Sequence, residues 1–160
     1  MNVQLQDFTD EHLMFIEKWE VAGEIYSYLS HSRPKCLIEG ATELWQTTRL
    51  FMISLENLMI GCVWLEDLDY SKKDGKLGIY IGVIHCRGLG IGREVIKEML
   101  RLAFGPLGLN KVILHVREKN TSAINCYKSC GFLITKEFPK RQFPDGSYQG
   151  AYEMAVTRNP

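Results

Sequence analysis

The spacing of apolar residues changes repeatedly along the chain, and each change of period marks an element. A short strand covers residues 3–5; after Thr9, a residue type suited to cap a helix, Leu13, Ile16 and Trp19 recur at helical spacing. Residues 23–30 read as a second short helix, Pro34 interrupts the chain, and Thr42 caps a further turn through Trp45. Two strand-like runs, 49–55 and 58–66, are separated by Glu56 and Asn57. Asparagine tolerates the left-handed backbone that tight hairpins need, so these runs are expected to pair antiparallel. The polar stretch 69–75 is a turn by composition, and residues 76–84 form the next strand.

From Gly92 the period becomes helical. Val95, Ile96, Met99, Leu100 and Ala103 mark one face, while Glu94/Lys97 and Glu98/Arg101 can pair at i, i+3 on the other. GPLGLN ends this helix, and KVILHV alternates around Val112, Leu114 and Val116 as a strand. Asn120 or Thr121 caps the next helix; Ala123, Tyr127 and Cys130 share its face, and Gly131 suits a left-handed end. A strand follows over 132–138, and Pro144 and Gly146 in FPDGSY predict a turn that returns the chain as a last strand over 150–157. The sum is an α+β fold over residues 1–160, one domain with a mixed, mostly antiparallel sheet of six to seven strands flanked by about four helices. The order strand, glycine loop, helix, strand between Lys76 and Val116 requires one parallel crossover.

Composition narrows the function classes. A domain of 160 residues buries about 70% of the surface its unfolded chain exposes, so no disulfide or metal staple is needed. Nineteen basic residues balance nineteen acidic ones, which argues against a dedicated nucleic-acid binder, since such a protein needs surplus cations to displace phosphate counterions. No run of eighteen apolar residues and no basic, then apolar amino-terminal leader is present, so no membrane partner and a cytoplasmic location are expected. The five cysteines, 36, 62, 86, 126 and 130, form no CxxC pair and fit a reducing compartment. Cys126 and Cys130 share a helical face, but no His or Asp stands at ligand spacing, so a metal site is not expected.

The chemistry concentrates in CRGLGIGREVIKEML, where three alternate glycines precede the clearest helix. Amides that open a helix lack internal partners and carry the positive end of its dipole, so they attract anions. Gly88, Gly90 and Gly92 let a diphosphate approach the backbone closely; taken alone, the pattern also fits a turn with no ligand. A dinucleotide fingerprint would need glycine where Arg93 stands, and a P-loop would need Gly-Lys-Ser/Thr. What remains is Arg-x-x-Gly-x-Gly, Arg87 through Gly92, after a strand and before an amphipathic helix. A second pattern, N-x-x-A-x-x-x-Y-x-x-x-G-F, is met by Asn120, Ala123, Tyr127, Gly131 and Phe132.

On these two motifs the chain resembles the GNAT superfamily of acyl-CoA N-acyltransferases, most closely the branch with ribosomal-protein N-terminal and spermidine acetyltransferases. The resemblance runs from about Leu5 to Thr157 and is strongest over residues 77–138. It implies acetyl-CoA as cosubstrate and direct attack of a primary amine on the thioester through a tetrahedral intermediate, without a metal. A small amine such as a polyamine, aminosugar or aminoglycoside is the expected acceptor. A protein N-terminus, or a non-catalytic acyl-CoA-binding role, is the alternative, and a homodimer is an open one.

By the same resemblance, the cofactor would be held by Ile81, Val83, Arg87, Gly88, Leu89, Gly90, Ile91, Gly92, Arg93, Asn120, Ala123 and Tyr127. The Val83 amide is the expected oxyanion donor, and Tyr127 the acid that protonates the departing thiolate. Lys97, Lys119 or Lys128 is expected to meet the 3′-phosphate. Many relatives carry a glutamate on the fourth or fifth strand; GIYIGVIH and KVILHV have no carboxylate, leaving His85, His115, Glu66 and Asp67 as candidate bases, with His85 and Glu66 preferred. Acceptor selectivity falls to residues 19–45 and 141–152, with Tyr26, Tyr28, Trp45, Tyr148, Glu24, Glu39 and Glu43 as candidates.

Overall fold

A computed structural model describes residues 1–22, 33–38 and 42–159. Seven strands form one sheet: β1 (Val3–Asp7), β2 (Arg49–Leu55), β3 (Leu58–Asp69), β4 (Asp74–Ile81), β5 (Lys111–Arg117), β6 (Leu133–Gln142) and β7 (Tyr148–Thr157). Their spatial order is β1-β2-β3-β4-β5-β7-β6, antiparallel at every step except β4–β5. Among the described residues the α-helices are α1 (Leu13–Val21), α2 (Lys35–Ile38), α3 (Ile91–Phe104) and α4 (Thr121–Ser129). Shorter 3-10 turns lie at Asp10–His12, Thr42–Thr47 and Ile84–Cys86.

The two faces of the sheet bury different sets of side chains. On one, Val95, Ile96 and Met99 of α3 pack with Val63 and Leu65 of β3, Leu77 of β4, and Val112, Leu114 and Val116 of β5. On the other, Ile16 and Trp19 of α1 pack with Met52, Cys62, Trp64 and Tyr80. Full burial of a side chain such as Ile96 contributes about 1.5–3 kcal/mol relative to exposure, so the α3 stripe explains why this helix is fixed to the sheet.

The hairpin between β2 and β3 turns at Glu56 and Asn57, both at positive φ, as the asparagine predicts. Pro34 differs from expectation: it starts α2 rather than breaking the chain, with its carbonyl accepting from the Leu37 amide at 3.0 Å. Proline at the opening of a helix costs nothing, because its missing N–H would have had no partner there. The expected helix over 23–30 lies outside the described residues.

What positions the site is the limited pairing of the two parallel strands. β4 and β5 pair at Asp74–Lys111, Gly75–Val112 and Lys76–Ile113 and no further, although β4 continues to Ile81 and β5 to Arg117. Beyond Lys76 the strands splay. The Ile81 carbonyl accepts from Arg87 Nε at 3.0 Å, so the main-chain edge of Ile81 faces the gap, and strand alternation places that of Ile79 on the same side.

Candidate active site

The loop before α3 leaves the first amides of the helix uncapped. Gly90, the residue before the helix, is left-handed at φ 83°, and no side chain caps the helix. The first intrahelical bond is from the Glu94 amide to the Gly90 carbonyl, 3.3 Å, so the amides of Ile91, Gly92 and Arg93 precede the ladder and their dipoles add. A Cβ on Gly88 or Gly90 would meet nothing within 4 Å, which leaves open space over the amides. A diphosphate fits that donor set: uncapped amides, a helix dipole, and Arg87 and Arg93 lining the same cleft.

This cleft, about 640 Å³, runs from the glycine loop along α4 to the gap between β4 and β5. Of the expected cofactor residues it brings together Ile81, Arg87, Gly88, Gly90, Ile91, Gly92, Arg93, Asn120, Ala123 and Tyr127. Asn120 Oδ1 caps α4 by accepting from the Ala123 amide at 3.3 Å. Tyr127 packs against Phe132 with ring centroids 5.9 Å apart. Burial pushes the Tyr127 phenol up from its ordinary value, with Cys126 and Cys130 acting in the same direction, so it stays protonated at neutrality.

Several expected positions fall elsewhere. The Val83 amide already donates to the Ile60 carbonyl at 3.1 Å, and Val83 does not line the cleft, so it is not available to an oxyanion. The strand ends at Ile81 rather than at residue 84, and Ile79 and Ile81 carry the main-chain edge that faces the gap. Leu89 lies on the loop with 49% of its surface exposed and does not line the cleft. His85 is exposed on the turn Ile84–Cys86, and it lines neither this cleft nor the one described next. Lys97, Lys119 and Lys128 also stand outside the cofactor-side cleft, whereas Ser122, Asn125 and Ser129 line it. Ser122, Asn125 and Ser129 recur at i, i+3 and i+7 along α4, a helical spacing that could have pointed to them.

A second cleft, about 510 Å³, opens near the splay and includes Trp64, Glu66, Lys76, His115 and Arg117. Trp64 belongs to the cluster packed on α1, and Val112, Leu114 and Val116 face α3, so by alternation Glu66, His115 and Arg117 lie on the sheet face away from α3. The two clefts share Ile79, Asn120 and Tyr127. They meet where the strands part, beside Tyr127.

Two titratable groups in the second cleft are candidate bases. Glu66 is 6% exposed, and its Oε2 accepts from the Lys35 amide at 2.9 Å. His115, with a side chain 39% exposed, stands 3.5 Å from Glu153 Oε1 and edge-on to Phe138. Burial, helped by nearby Lys76, holds the His115 imidazolium below its usual range, against the opposing pull of Glu153. Asp67 is instead exposed and paired with Lys35 Nζ at 2.9 Å.

Among the expected acceptor residues, Tyr26, Tyr28, Glu24 and Glu39 lie outside the described residues. Trp45 stacks on Phe8 at 5.8 Å, and Glu43 and Tyr148 are exposed; none of the three lines either cleft.

The profile of the acetyltransferase (GNAT) family matches residues 9–132. Spermidine N(1)-acetyltransferase of Vibrio cholerae is 31% identical over 101 residues, 63% of this chain; the match spans 58% of that relative's length. A solved structure of spermidine N-acetyltransferase from Vibrio cholerae in complex with CoA and spermine superposes with a TM-score of 0.84 at 25% identity, covering 97% of this chain and 95% of that one. A dodecameric structure of spermidine N-acetyltransferase from Vibrio cholerae in an intermediate state gives a TM-score of 0.80 at 25% identity, with coverage of 97% and 93%.

Proposed function

Because the chain belongs to the acetyltransferase (GNAT) family, we propose that it transfers an acetyl group from acetyl-CoA to a small primary amine. The observation that carries this reading is the junction of two clefts on opposite sheet faces at Ile79, Asn120 and Tyr127. A thioester donor lying along α4 and an amine entering from the other face would meet there without either leaving its own cleft.

The glycine-loop amides, Arg87 and Arg93 hold the diphosphate of the donor, and the free edge of β4 at Ile79 and Ile81 pairs with its amide-bearing arm. When bound, acetyl-CoA supplies the activated acetyl group. An amide N–H of Ile79 or Ile81 is placed to stabilise negative charge on the thioester oxygen. Tyr127, kept protonated by burial, donates to the departing sulfur. An alkylammonium acceptor must first lose a proton, since its reference pKa is about 10.4. His115 takes it: this imidazole is neutral at pH 7 and lines the acceptor-side cleft, whereas Glu66 Oε2 is engaged by Lys35. Glu66 then faces the ammonium as a counter-charge.

The test is release of CoA thiol on adding a panel of polyamines, aminosugars, aminoglycosides and peptide N-termini, with the acetylated product identified by mass. Turnover of a small amine supports the reading; turnover of peptides alone moves it to a protein N-terminal acetyltransferase. CoA binding with no turnover across the panel leaves only a binding module. The family relatives' polyamine names put spermidine in that panel. A cytoplasmic location and a homo-oligomer are part of the same proposal, the latter resting on the dodecameric relative and measured by light scattering.

A further inference from the structure

The charges around the acceptor-side cleft are uneven. Among the described residues, Lys76 on β4, Arg117 on β5, and Lys140 and Arg141 on β6 line it, against the carboxylate of Glu66. The nearby acids are already engaged. Glu153 stands beside His115 and accepts from Thr135 Oγ1 at 3.2 Å, while Asp145 lies 3.4 Å from Arg117 and accepts from Ser147.

The arginines are held in place rather than left to sweep through solvent. Arg117 and Arg141 both stack on the Phe143 ring, at 4.2 and 4.4 Å from its centroid. Arg117 is 2% exposed; burial lowers its affinity for its own proton, against the pull of Asp145 and with a smaller push from Arg141. Asp145 offsets the charge of Arg117, so Arg141, Lys76 and Lys140 are the lining cations that make the cleft positive. A second ammonium on an acceptor would be repelled there, and an oxyanion would be drawn in and gripped by charge-assisted hydrogen bonds.

We propose that the acceptor is a primary amine that also carries an oxyanion, carboxylate or phosphate, bound by Lys76, Lys140 and Arg141 while its amine points toward Tyr127. This rests on the transferase reading and narrows it away from polyamines.

Matched acceptors test it: lysine against 1,5-diaminopentane, which lacks only the carboxylate, and 2-aminoethyl phosphate against ethanolamine, with spermidine as the polycationic comparator. The anionic member of at least one pair is expected to show a kcat/KM about tenfold higher or more. Which pair responds tells carboxylate from phosphate. In Lys140→Glu/Arg141→Glu, two exposed positions, the preference is expected to reverse toward the diamine, with KM carrying the change. Higher kcat/KM for spermidine and 1,5-diaminopentane than for every anionic partner, unchanged by the charge reversal, would overturn the proposal while leaving the transferase intact. CoA binding without turnover of any amine would overturn both.

Discussion

Gly90 and Tyr127 carry most of the chemistry assigned to single residues. Replacing Gly90 with glutamate puts a bulky anion into the open space over the α3 amides and forces a non-glycine residue to φ 83°. The left-handed strain costs about 1–2 kcal/mol of stability, and CoA affinity measured by calorimetry should fall by about two orders of magnitude or more, as the carboxylate competes for the same donors. Tyr127→Phe keeps the ring against Phe132 but removes the proton, so kcat should drop by about 10²–10⁴-fold with CoA affinity nearly unchanged. Equal turnover would remove the phenol from the mechanism. For His115 the sign follows from its lowered proton affinity. Activity should rise with pH along a limb lying below 6.5 and be level by pH 7.5. The unfolded chain, with a histidine near 6.5, binds the proton first as pH falls, so folding stability is lost below that value and levels off beneath the folded-state pKa. His115→Gln should abolish both the kinetic limb and its share of the stability loss in urea titrations at pH 7.5 and 5.5.

At the scale of elements, a close main-chain contact joins β3 to the end of β4 that borders the gap. Gly61 lies opposite Ile81, and a Cβ there would sit 2.3 Å from the Tyr80 carbonyl oxygen, a main-chain atom that cannot rotate away. Gly61→Ala should cost about 1–3 kcal/mol of stability in urea unfolding and shift β4 toward the gap, raising KM for acetyl-CoA. An unchanged midpoint would mean the hairpin absorbs the methyl. Most elements were legible because their apolar period was clean: α3 shows Val95, Ile96, Met99 and Ala103 buried where the helical spacing placed them. The end of β4 was not. Residues 82–84 are as apolar as the strand before them, and the ladder ends there because the Gly82 and Val83 amides both donate to the Ile60 carbonyl. α2 was hidden because Pro34 reads as a breaker when its position at the helix start is unknown.

Across the molecule, the sequence motifs account for more of the lining of the cleft at the glycine loop than of the second cleft. The cleft at the glycine loop is local: the segment between Cys86 and Arg93 and one helix supply most of its lining, so their order is written along the chain. The acceptor-side cleft gathers Glu66, Lys76, His115 and Arg141 from four strands, and only the sheet order brings them together. His115 was one of four candidate bases in the sequence; it lies on β5 and lines the second cleft, whereas His85 lies on the turn Ile84–Cys86 and lines neither. The claim on which both clefts depend is that the α3 amides hold a diphosphate. It is tested most directly by titrating the protein calorimetrically with CoA and with pantetheine, which shares the thiol arm but has no phosphate. CoA should bind about a hundredfold more tightly or better, since each charge-assisted hydrogen bond contributes ~1.5–3 kcal/mol. Equal affinities for the two, or no heat from CoA at all, would contradict the account.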